Sequence, residues 1–173
     1  MSDKKITPLM ITEVAAVAAL YVALTYVSAP FAFGAVQFRI SEALMLLCCF
    51  RKRWCVSLTV GCMLANLISP MLLDFIFGTS ATLIAAVLMY LIRKPIPASV
   101  IPAVANGLIV GAELNRFMGE PFWFSCGTVA LGEIVCVMVI GLPLLFAALR
   151  SEQLRGLICG EDRLPKRCAA RQD

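Results

Sequence analysis

Gln37, Arg39, Ser41 and Glu42 stand immediately before Ala43–Phe50, an apolar run that Arg51, Lys52 and Arg53 close. Ionisable side chains set against hydrocarbon-compatible sequence are expensive to bury, and in membrane segments they mark functional positions. Any fold of this chain must therefore shelter a charged cluster. The rest of the sequence supplies the shelter, as long apolar runs separated by short charged turns. The chain is 61% hydrophobic and 15% charged, whereas a soluble domain has about a quarter of its residues charged. The expectation is an all-α membrane protein with a single membrane domain over 1–149 and a charged tail over 150–173.

Composition excludes several chemistries. Histidine is absent, which removes His-based metal sites, Ser-His-Asp triads and His proton relays. The eight cysteines show no CxxC spacing and mostly lie inside apolar runs, where Cys behaves as a small hydrophobe. No phosphate-binding loop, GxSxG, HExxH or paired-aspartate motif occurs, so no enzyme, cofactor or metal site is expected. Basic residues sit between apolar segments rather than on a continuous soluble face, which speaks for membrane topology and against nucleic acid. The first apolar run, Val14 to Val36, is too long for a signal peptide and reads as a retained helix.

Taken in order, the runs predict six membrane helices near 8–28, 40–50, 54–68, 80–92, 98–114 and 122–149. The second spans only about 16 Å at 1.5 Å per residue, too short for a hydrocarbon core of about 30 Å. It reaches one side only if its other end begins within the membrane. Residues 29–38 are apolar yet broken by Pro30 and Gly34, a composition suited to a lid or cavity wall. Of the 15 lysines and arginines, all but Arg39 and Arg116 fall on the side of the termini, so both termini are expected to be cytoplasmic. Glu13 near that side is expected to reach water. Ala15, Ala19 and Ala23 are spaced by four, a small-residue stripe that serves either internal packing or docking to a second membrane protein.

The candidate binding residues fall on the opposite half: Gln37, Phe38, Arg39, Glu42, Asn66, Asp74, Asn106, Glu113, Trp123 and Glu133. Carboxylates and amides suit a ligand rich in N–H donors, and Phe38, Phe122, Trp123 and Phe124 are able to stack on a flat ring. Other roles stay open for several. Arg39 and Glu42 have the spacing of a helix-start ion pair, Asp74 that of a cap for the fourth helix, and Asn66 and Asn106 that of helix cross-links. Glu133 lies roughly 16 Å along its helix, near the bilayer centre, where a lone carboxylate requires a partner.

Three stretches, QFRISEAL at 37–44, ANLISP at 65–70 and DFIFGTSATL at 74–83, resemble the queuosine-precursor transporter (QueT) family. Its members are substrate-binding S components of energy-coupling factor vitamin transporters. The resemblance covers about residues 9–149. It implies a six-helix S-component bundle in a bacterial inner membrane, with substrate held near the outer face under the first loop. The implied partners are a coupling membrane protein, docked at the alanine stripe, and two ATPase subunits that hydrolyse ATP. The implied ligand is a 7-deazaguanine, queuine or one of its precursors. Its guanine-like edge offers N1–H and an exocyclic amine to a carboxylate, and an aminomethyl arm would suit a second one. An S component for another vitamin, a stand-alone ion-coupled carrier and a structural membrane protein are the alternatives.

Overall fold

Thr7 accepts the Met10 amide at 3.4 Å and Pro8 fills the first turn, so α1 begins at Pro8. It ends at Val27, where the Ser28 hydroxyl donates to the Leu24 carbonyl at 2.8 Å. The computed structural model describes residues 7–32, 38–67, 69 and 72–160, and every regular element among them is helical. After α1 come the single turn α2 (Ala29–Ala32), a 3-10 helix (Ile40–Cys49) and α3 (Lys52–Asn66). A 3-10 turn (Leu72–Phe75) leads into α4 (Phe77–Ile92), α5 (Pro95–Ala98) and α6 (Ile101–Met118). The last long helix is continuous over Phe122–Arg150. It consists of α7 (Phe122–Glu133), a π-helical stretch (Ile134–Gly141) and α8 (Leu142–Arg150), and α9 (Glu152–Cys159) follows it. Of the expected lid, 29–32 form α2, and 33–37, including Gln37, lie outside the described residues.

Among the described residues, four segments are long and apolar enough to cross a membrane: Pro8–Val27, Leu73–Ile92, Pro95–Met118 and Phe122–Arg150. Ile40–Cys49 and Lys52–Asn66, with 10 and 15 residues, are shorter. At about 2.0 Å per residue the 3-10 helix reaches roughly 20 Å, further than the α-helix expected from sequence but still short of a bilayer core of about 30 Å. It is placed centrally instead, packed against α1, α3, α4, α5, α8 and the π-helical stretch. Ser41, Glu42, Met45, Leu46, Cys48 and Cys49 are all buried.

Small residues let the backbones meet. A Cβ at Gly111 would lie 3.0 Å from the Cys126 Cα and backbone N, and one at Gly107 would lie 3.2 Å from the Cys126 carbonyl, so α6 and α7 touch along the stripe these glycines form. A Cβ at Gly141, at the end of the π-helical stretch, would lie 3.1 Å from the Ala43 Cα and carbonyl of the 3-10 helix. Cys48, Cys49, Cys55, Cys62 and Cys136 are buried free thiols and Cys126 a half-buried one, in packing roles. Cys159 is disulfide-bonded.

The basic turn 51–53 does more than set topology. Arg53 forms an ion pair with Glu13 of α1, so Glu13 does not simply reach water as expected. The Ser57 hydroxyl donates to the Val14 carbonyl at 2.7 Å beside it. The tail begins with an ordered helix, and the C-terminal carbonyls of α9 take up the same turn. Trp54 Nε1 donates to the Ile158 carbonyl at 3.0 Å, and Arg51 and Arg53 donate to that of Leu157 at 3.5 and 3.4 Å. Arginines at a helix C-terminus satisfy orphan carbonyls and complement the helix dipole.

Substituting Gly111→Val should overpack the α6–α7 contact against backbone atoms that have no room to move. We expect a loss of about 1–3 kcal/mol, read as a lower unfolding temperature in detergent. Gly127→Ala, with nothing within 4 Å of its Cβ position, should hold or slightly raise it; equal effects of the two would contradict the close-contact account.

Candidate functional site

Arg39, itself in an extended backbone conformation, stands at the start of the 3-10 helix. Its guanidinium, in a residue only 6% exposed, donates to Asn66 Oδ1 at 3.1 Å and stands 3.7 Å from Asp74 Oδ2. Asn66 is used completely: its amide nitrogen reaches the Asp74 carbonyl at 2.9 Å, Thr79 Oγ1 at 3.3 Å and Cys62 Sγ at 3.4 Å. The Ser69 hydroxyl donates to Asp74 Oδ2. A Cβ at Gly78 would come within 3.0 Å of Asn66 Nδ2, so glycine there lets α4 close on the network. Asp74 is thus an ion-pair partner and not a cap for α4, whose cap position, Ile76, makes no side-chain bond. α4 starts at Phe77, earlier than expected, because the 3-10 turn passes almost directly into it.

Arg39 and Glu42 are one 3-10 turn apart yet turn to different partners. Glu42 accepts from the Tyr21 hydroxyl of α1, and beside it the Thr25 and Ser41 hydroxyls are 2.7 Å apart. Sequence reasoning missed Tyr21 and Thr25. The signal was present: Tyr21, Thr25 and Ser28 form a polar stripe at helical spacing, and they are buried while Ala15, Ala19 and Ala23 are exposed.

The third group comes from α6 and α7. Because Gly107 and Gly111 bring these helices together, Asn106 Nδ2 donates to Glu133 Oε1 at 2.5 Å. Glu133 is the last residue of α7, and the π-helical stretch begins at the next residue. Widened turns of this kind are rare and often accompany functional sites. Seven residues along α6 from Asn106, Glu113 is buried beside Asp74, whose charge and side chain act on it. The charge of Arg39 acts on Glu42, Asp74, Glu113 and Glu133 alike. Among the described residues, therefore, four buried carboxylates lie within electrostatic reach of the Arg39 guanidinium, and Asp74 pairs with it. No hydrogen-bond donor among the described residues reaches Glu42 Oε2, Asp74 Oδ1, Glu133 Oε2 or the oxygens of Glu113, which lies against the Asp74 side chain.

The structure thus brings together Arg39, Glu42, Asn66, Asp74, Asn106, Glu113 and Glu133 from five elements. Phe38 is half-buried next to Arg39 in the chain. Trp123 stands apart: it is 79% exposed and packs edge-on against Phe122 with ring centroids 5.0 Å apart. On α7 it lies two residues, about 200°, from buried Ser125, which turns it outward with exposed Phe124.

Membrane-spanning helices that enclose a charged, donor-poor cluster describe a multi-pass carrier for small polar molecules. The chain belongs to the QueT transporter family, whose model matches residues 11–150. It is 30% identical over 145 residues to the queuosine precursor transporter QueT of Lactococcus lactis subsp. cremoris (strain MG1363), covering 75% of this chain and 86% of that relative. No solved structure matches it.

The Tyr21–Glu42 bond ties α1 to the 3-10 helix. Tyr21→Phe should leave Glu42 Oε1 without its donor and cost about 1–3 kcal/mol of stability, measured by thermal unfolding in detergent. An unchanged unfolding temperature would show that the bond contributes nothing net.

Proposed function

We propose that the chain is the substrate-binding membrane subunit, an S component, of an energy-coupling factor importer for queuosine precursors, 7-deazaguanines such as queuine or its precursors. The observation that carries this reading is Glu133: a carboxylate deep in the bundle with one oxygen held by Asn106 and the other without a donor. A guanine-like edge supplies two N–H groups side by side and fits such an acceptor. Membership of the QueT transporter family supports the ligand class.

In this reading the chain crosses a bacterial inner membrane six times, with both termini and the 150–173 tail cytoplasmic. The hairpin of the 3-10 helix and α3 supplies the two short crossings. The polar cluster opens toward the outer face, and Gln37 and Phe38 join the ligand there. Import is driven by ATP hydrolysis in two partner ATPases. A coupling membrane protein docks on α1, whose Ala15, Ala19 and Ala23 are all exposed, so that a partner backbone is able to approach closely.

Two experiments test the reading. Glu133→Gln keeps shape but replaces an acceptor by a donor facing the ligand's donors. A mismatched buried polar group costs about 1–3 kcal/mol, so calorimetry with a deazaguanine should show affinity reduced roughly tenfold or more. Wild-type affinity in that variant would remove Glu133 from the site. Ala19→Leu should prevent co-purification with the coupling protein and ATPases while ligand binding is retained; a wild-type yield of complex would refute docking on α1.

A further inference from the structure

Tyr90, half-buried near the end of α4, gathers two cations from different parts of the chain. Lys52, the first residue of α3, holds its Nζ 6.0 Å from the Tyr90 ring centroid, and the Arg93 Cζ stands 5.0 Å from the same centroid. Arg93 Nη2 also donates to the Tyr90 hydroxyl at 3.2 Å. Lys52, Arg93 and the following Lys94 are exposed, and among the described residues no carboxylate pairs with any of them. Arg53, one residue from Lys52, has Glu13 for that purpose. The ring attracts each cation through its π system. The cations repel each other, so what the cluster lacks is an anion.

What leads away from the cluster is apolar. On α3, Val56 and Val60 lie four and eight residues after Lys52; on α4, Leu83 and Val87 lie seven and three residues before Tyr90, on its side of the helix. All four are exposed, and α3 packs against α4. Their ridges border a furrow that runs about 12 Å along the helices from the cations. On the next ridge of α4 opens a groove of about 390 Å3 shared with α6, lined by Ile84, Leu88, Val104 and Leu108 and reaching Val100 just past the basic turn. We propose that Lys52, Tyr90 and Arg93 bind the phosphate of an anionic phospholipid, one acyl chain of which lies in the α3–α4 furrow and the other in the α4–α6 groove. Arg93 offers the phosphate a planar fork of donors and Lys52 a point charge. Basic residues at the ends of membrane helices favour anionic headgroups in this way. The lipid joins the start of α3 to the end of α4, and the site does not depend on what the buried polar cluster binds.

The test is native mass spectrometry of the purified full chain in detergent, titrated with phosphatidylglycerol, with phosphatidylcholine of the same acyl chains, and with inorganic phosphate. Wild type should form a one-to-one adduct with phosphatidylglycerol in preference to phosphatidylcholine. Lys52→Gln and Arg93→Gln should each weaken the phosphatidylglycerol adduct about fivefold and together abolish the preference. Lys52→Arg combined with Arg93→Lys, which keeps both charges, should retain it and so separates lost charge from lost folding. Arg116→Gln, an exposed cation at the far end of α6, should change nothing. Inorganic phosphate should not bind at the concentrations where the lipid does, because it has no chains for the furrow and the groove. Equal binding of the two lipids by wild type, a preference that survives the double glutamine variant, or an equal loss in Arg116→Gln overturns the site. Phosphate bound as tightly as phosphatidylglycerol overturns it too, in favour of a soluble anion.

Discussion

The buried guanidinium of Arg39 is the interaction on which the arrangement depends. A cation that is 6% exposed is tolerable only with counter-charge and hydrogen bonds around it. Those come from Asn66 at the end of α3 and Asp74 in the turn before α4. Arg39 itself starts the 3-10 helix. Three chain segments that are separate in sequence must therefore close together, or each leaves a polar group stranded. This gives a physical reason for the 3-10 helix to stay central although it is too short to cross a bilayer.

A second fastening lies at the other end. Arg53 with Glu13, and Arg51, Arg53 and Trp54 with the last carbonyls of α9, tie α1, α3 and the start of the tail into one knot. Between the two ends the contacts are mostly apolar, and close approach is governed by small residues such as Gly61 against Tyr21 and Ala18, and Gly141 against Ala43. Polar ends with a tightly packed middle suit a protein whose lipid-facing surface contributes no hydrophobic drive of its own to helix association.

The site inherits its character from this frame. The scaffold uses Arg39, and in doing so spends the positive charge available among the described residues near the cluster. Among the described residues, Glu113 and parts of Glu42, Asp74 and Glu133 are left as acceptors without donors. Such a group of oxygens is poorly satisfied by the protein alone. That is the expected condition of a binding site whose last partners arrive with the ligand, in keeping with a transporter family.

Hydropathy and charge along the chain determined much of the protein: an all-helical membrane class, α1 from Pro8, the long final helix from Phe122, the gathering of basic residues in turns, and the suspicion attached to Arg39, Asp74 and Glu133. The family motifs at 37–44, 65–70 and 74–83 also marked segments that meet in space through Arg39, Asn66 and Asp74. These signals are local, written in residue type and spacing. Which side chains touch was decided only by tertiary structure, since that depends on how each helix is rotated and how near its neighbour's backbone can come. Rotation sent Trp123 outward and Tyr21 inward to Glu42. The narrowing of Ile40–Cys49 to a 3-10 helix and the widening of Ile134–Gly141 to a π-helix leave no periodic trace in apolar sequence, because they are fitted to each other at Gly141 and Ala43. The contact of α6 with α7 at Gly111 is likewise what carries Asn106 to Glu133, a pairing that no spacing along a single helix contains.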